Sequence, residues 1–138
     1  MTQQKKIHLI DTNIIIRYLM GDDINKANLA AELMLKVENG LENIEISSVV
    51  TAEIIWTLEK FYKVPKLEIS NKLLTIFSFR GIKGFEKGII IEALRLYASH
   101  NIDFVDCYLA AKSVEKAMPI YTFDKKDFTK LKADWETP

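Results

Sequence analysis

The chain has 138 residues, with 19 basic and 19 acidic side chains and a formal net charge of zero. That length suits one domain around one core, which an apolar fraction of 49% is ample to fill. Zero net charge argues against nucleic-acid binding through bulk positive potential, and the single Cys107 excludes an internal disulfide, which fits a reducing cytoplasm. The start, Met1 to Lys6, leads into only four apolar residues before Asp11, too few for a signal segment or a membrane span. The expectation is one cytoplasmic domain over residues 1–138.

In chain order, Ile7-His8-Leu9-Ile10 reads as a short buried strand. Asp11 or Thr12 opens a helix to about Met20, with Ile15, Tyr18 and Leu19 inward and Gly21 as its stop. A second helix is predicted from about Asn25 to Glu38, with Ala27, Ala30, Ala31, Met34 and Leu35 on its inner stripe. Ile44 to Ile46 alternates like a strand, and Ser47 or Ser48 caps a long helix to about Tyr62. Pro65 to Phe79 gives a further helix with Leu73, Leu74 and Phe77 buried, then Phe85 to Ser99 and Asp103 to Lys116 give two more. Pro119 to Phe123 is a strand and Asp124 opens a last turn. Helices separating short strands throughout argue for an α/β fold with a parallel sheet flanked on both faces.

Ligands of open α/β sheets sit beyond the carboxyl ends of the strands. Asp11 directly follows the first strand and Asp124 the last, Asp103 and Asp106 begin a helix, and Glu53 lies in the first two turns of another. Four segments thus deliver carboxylates to one edge. Asp11 also fits an ordinary N-cap. The spacings Asp103 to Asp106 and Asp124 to Asp127 fit capping and dipole compensation, and Asp103 and Asp127 are read that way. Glu53 shares a helical stripe with Val49 and Trp56, so its charge calls for a metal or a lysine as partner.

Other chemistries are poorly supplied. His8 lies inside a strand, and His100 ends a helix where a cation is favourable in any case. Cys107 stands alone and reads as core, and no glycine-rich phosphate loop is present.

The runs Ile7-His8-Leu9-Ile10-Asp11-Thr12-Asn13, Ser48-Val49-Val50-Thr51-Ala52-Glu53, Asp103-Phe104-Val105-Asp106 and Tyr121-Thr122-Phe123-Asp124 resemble the successive motifs of PIN domains. Their order and the chain length resemble the VapC toxins of toxin–antitoxin pairs. The resemblance implies a PIN-like three-layer α/β/α sandwich with a short, mainly parallel central sheet. It implies a metal-dependent endoribonuclease in which Asp11, Glu53, Asp106 and Asp124 are catalytic and hold one or two Mg²⁺ or Mn²⁺ ions. Asp11 and Asp106 would be primary ligands, Glu53 a ligand or water-orienting base, and Asp124 a ligand or supporting partner. Thr12, Asn13, Asp103 and Thr122 match supporting positions. It further implies products with 5′-phosphate and 3′-hydroxyl ends, a homodimer, and a groove for an antitoxin peptide whose arginine reaches the acids. Hard oxygen donors suit Mg²⁺ and Mn²⁺.

With four acids set aside in a site, the remainder carries 19 basic against 15 acidic side chains, a balance compatible with an RNA substrate. Arg17, Lys112, Lys125 and Lys126 are candidates for phosphate contacts, with Lys116, Lys130 and Lys132 nearby in sequence; each alone also reads as an ordinary solvated cation. The alternatives are a solitary RNA-processing PIN nuclease and a non-catalytic RNA-binding module. A phosphohydrolase with an aspartate nucleophile wants a second acid where Asn13 stands, and a receiver-type signalling domain wants paired acids after the first strand.

Overall fold

The computed structural model describes residues 6–138. Met1 to Lys5, part of the start read above as leading into too short an apolar run for a signal segment, lie outside the described residues. Among those described, no helix is long and apolar enough to cross a membrane. The chain divides into two compact units, Met1–Phe85 and Glu86–Pro138.

The first unit runs β1 (Ile7–Leu9), α1 (Thr12–Met20), α2 (Ile24–Glu38), β2 (Asn43–Glu45), α3 (Ser48–Lys60), α4 (Lys66–Phe77) and β3 (Ile82–Lys83). The strands form one parallel sheet in the order β1-β2-β3, with His8 opposite Ile44 and Ile44 opposite Ile82. Parallel neighbours require crossover connections, which the helices supply.

Local chemistry explains where the helices begin and end. Asp11 is extended at the N-cap of α1, and Gly21 closes that helix in the left-handed region (φ 66°), donating its N–H to the Arg17 carbonyl. Asp23 caps α2 by accepting from the Lys26 N–H at 3.1 Å, and the Ser47 hydroxyl caps α3 by accepting from Val50 at 3.2 Å. Gly81 is required by crowding. A Cβ there would overlap the Glu42 carbonyl and lie 2.8 Å from that of Val37.

The core of this unit is built from one stripe per helix: Ile15 and Ile16, then Ala30, Met34 and Val37, then Ile54, Ile55 and Leu58, then Ile69, Leu73, Ile76 and Phe77. Burial departs from expectation in β1, in α2 and at Leu74 of α4, which is half-buried. Ile7 and Leu9 are 55% and 81% exposed, so β1 is not a buried strand. On α2 the inner stripe runs through Ala30, Met34 and Val37, leaving Ala31 and Leu35 exposed.

The second unit runs α5 (Lys87–Ser99), α6 (Phe104–Lys116), β4 (Ile120–Tyr121), α7 (Lys125–Lys130) and β5 (Trp135–Glu136). Helices α5 and α6 pack together through Ile90, Ala93, Leu94 and Tyr97 on one side and Phe104, Cys107, Ala110 and Ala111 on the other. The Tyr97 and Phe104 rings meet edge-to-face at 6.2 Å. Strands β4 and β5 pair in parallel, with Ile120 opposite Trp135. Every strand pair among the described residues is parallel, as the alternation of helices and strands implied.

Candidate active site

In the second unit, α6 and the turn into α7 converge three carboxylates. One oxygen each of Asp106, Asp124 and Asp127 lies within 4.8 Å of the others. Asp106 stands in the first turn of α6, half-buried. Asp124 is the N-cap of α7, and its Oδ1 accepts from the Asp127 N–H at 3.2 Å. The Thr122 hydroxyl in turn accepts from the Asp124 N–H at 2.9 Å, which fixes the turn that presents this acid.

The electrostatics follow from the geometry. Burial, and then the nearby charges of Asp103, Asp124 and Asp127, push the Asp106 carboxyl above its ordinary range. Among the described residues, none of these three carboxylates is in an ion pair. Several hard oxygen donors, close together and without a cationic partner, match the needs of a divalent ion such as Mg²⁺ or Mn²⁺. The residues present fit such an ion.

Asp127 is the residue that sequence reasoning set aside. Its backbone takes part in capping, as expected, while its side chain joins the other acids. The spacing Asp124 to Asp127 is the same for either role, so only three-dimensional convergence separates them. Asp103 occupies the N-cap of α6, but its side chain makes no capping hydrogen bond.

The first unit carries the remaining sequence candidates. Asp11 sits between β1 and α1 without using its side chain as a cap, and it borders a cleft of about 460 Å³ with His8, Ile10 and Ile14. Thr12 is buried behind it and Asn13 is exposed. Glu53 projects from α3, which packs against α1. It is exposed, as are Val49 and Trp56, so the stripe they share faces solvent; the expected cost of burying Glu53 does not arise.

The candidate phosphate contacts differ in availability. Arg17 is held by Asp22 at 3.0 Å, and Lys112 by Glu86 at 3.1 Å. Tyr108 also donates to Glu86, at 2.7 Å. Lys125 lies over the Trp135 ring at 6.0 Å, and Lys126 is exposed. Cys107 is core, its thiol directed at the Ile102 carbonyl at 3.8 Å.

Comparison with known proteins adds two findings. A VapC ribonuclease of Aquifex aeolicus (strain VF5) is similar to this chain, 24% identical over 123 residues, which cover 89% of this chain and 90% of that protein. The sequence pattern of the PIN domain matches residues 8–133, nearly the whole length and residues of both units. The chain belongs to the PIN domain family.

Proposed function

We propose that this protein is a divalent-metal-dependent endoribonuclease, the toxin of a VapBC-type toxin–antitoxin pair, acting as one PIN domain. The observation that carries the reading is the group of unpaired carboxylates centred on Asp106, in a chain that matches the PIN domain almost end to end. The similar Aquifex protein, named a VapC ribonuclease, supports RNA as substrate and the toxin class.

A bound Mg²⁺ or Mn²⁺ would supply Lewis acidity and lower the pKa of a bound water. The chain's own residues have distinct tasks. Asp106 and Asp124 would hold the ion, with Asp127 beside them, and Asp11 is assigned as a further ligand from its motif alone. Glu53 is exposed on α3 and free to orient or deprotonate the attacking water. Thr122 keeps Asp124 in place through the Asp124 N–H. Among the described residues Lys126 is exposed and in no ion pair, and so can position substrate phosphate; Arg17 and Lys112 must first leave their acids to do so.

The partner reading rests on surface. A groove of about 350 Å³ between α1 and α2 combines apolar Ile14, Leu29 and Leu33 with the cations Arg17 and Lys26. It suits an amphipathic antitoxin peptide, and the exposed Phe61 and Leu67 suit a homodimer contact.

The test is incubation with total cellular RNA in Mg²⁺, in Mn²⁺ and in chelator, beside an Asp106→Asn control, after removal of any copurified protein. Discrete cuts that require both metal and Asp106 are expected. Retained RNA binding with no cleavage in any metal would favour a non-catalytic binding module instead.

A further inference from the structure

The outward stripe of α3 holds more than Glu53. Val49, Glu53, Trp56 and Lys60 succeed one another at intervals of four, three and four residues, which places them on one face of the helix. All four are exposed, with Val49 at 77% and Trp56 at 62%. The opposite face buries Thr51, Ile54, Ile55 and Leu58, so the helix does not need Trp56 for its packing. Among the described residues, the indole has no ring, cation or hydrogen-bond partner, and Lys60 has no ion pair.

We infer that Trp56 is a substrate-positioning residue, stacking one base of single-stranded RNA beside Glu53 while Lys60 takes the adjoining phosphate. This rests on the nuclease reading above. Glu53 and Trp56 are about 4.5 Å apart along the helix axis, and Lys60 is about 6 Å beyond Trp56. A nucleotide laid along the stripe therefore meets a carboxylate, a flat π-surface and a cation in turn. A dry protein partner fits less well, because it would bury the Glu53 charge in the middle of the patch. RNA leaves that charge beside water and cation, and base–aromatic stacking accepts any base.

The experiment uses the full chain carrying Asp106→Asn, to prevent cleavage, and Trp135→Phe, which leaves Trp56 as the sole tryptophan of the two in the sequence. Short single-stranded oligoribonucleotides of mixed sequence are titrated in Mg²⁺ while indole fluorescence is followed. Quenching on binding is expected. Trp56→Ala in the Asp106→Asn chain, followed by oligonucleotide anisotropy, should weaken binding roughly 5- to 150-fold, the span for stacking one base. Trp56→Tyr should restore most of it. In the cleaving enzyme Trp56→Ala should raise KM more than it lowers kcat.

Binding that is unchanged by Trp56→Ala, in a protein that still cuts RNA, overturns the inference and leaves the nuclease reading intact. A changed oligomeric mass with unchanged RNA affinity overturns it in favour of a contact between copies. If the wild-type chain neither binds nor cuts RNA, both readings fall together.

Discussion

The backbone N–H of Asp127 donates to Oδ1 of Asp124 at 3.2 Å, while the Asp127 carboxylate lies within 4.8 Å of the Asp124 and Asp106 carboxylates. One residue thus orients an acid with its backbone and adds a second acid with its side chain. Asp127→Asn keeps the backbone donor and removes the charge. It should lower Mn²⁺ affinity roughly 10–100-fold, the usual cost of losing a supporting group at a metal site. Titration calorimetry of the variant beside wild type measures this.

Asp106 makes a prediction about stability without metal. Its folded-state pKa is raised above the ordinary 3.8, first by burial and then by its acidic neighbours. A carboxylate shifted upward penalises the folded state when ionised. The penalty is absent below the unfolded pKa, grows as pH rises through the folded pKa, and is complete above it. In chelator at neutral pH, Asp106→Asn should therefore melt a few degrees higher than wild type, and the gain should vanish in strong acid. Added Mg²⁺ should stabilise wild type far more than the variant. Thermal melts with chelator and with Mg²⁺ across pH check both limbs.

The tie between the start of α2 and the end of α3 has its own pH signature. Tyr62 donates to Asp22 at 2.7 Å and Arg17 pairs with the same carboxylate, and chiefly the Tyr62 hydrogen bond holds Asp22 below its ordinary range. That contribution is present above the unfolded pKa and is lost as pH falls through the folded one. The Tyr62 hydroxyl is shifted upward by the same bond, so its contribution is lost as pH rises through its raised folded pKa. Tyr62→Phe should flatten both ends of the stability–pH profile and leave metal binding unchanged, as denaturant melts across pH would record.

Gly81→Ala should destabilise the chain by about 1–3 kcal/mol or more, the range for overpacking. The obstructing atoms are the Glu42 and Val37 carbonyls, which are backbone and cannot swing aside. The substitution pushes on the β2–β3 register, where Ile44 donates to the Gly81 carbonyl at 2.8 Å. Urea denaturation gives the number directly.

Helix ends were the most legible feature of the sequence, because their signals are local. Asp11, Gly21, Ser47 and Pro65 all mark boundaries within a residue or two of those observed. Burial was less legible. An apolar run such as Ile7 to Ile10 reveals nothing about which flank is covered, and Ile7 and Leu9 are exposed. On α2 the expected stripe included Ala31 and Leu35, whereas packing turns Val37 inward beside Ala30 and Met34. Strands β3 and β5 are two residues each, too short to show alternation. Among the acids, Asp106 and Asp124 were named from motif and position, whereas Asp127 looked like a cap because a cap and a converging acid share one spacing. Trp56 carried no signal of its own until its stripe proved to face solvent.

The chemistry of the cut ends separates metal-assisted hydrolysis from metal-free cleavage. In the proposed metal-dependent reaction water attacks phosphorus and the 3′-oxygen leaves with a proton, so sequencing of Mg²⁺-dependent products should find 5′-phosphate and 3′-hydroxyl ends, and Asp106→Asn should yield none. Products ending in 2′,3′-cyclic phosphate and 5′-hydroxyl, formed in chelator and retained by Asp106→Asn, would contradict it.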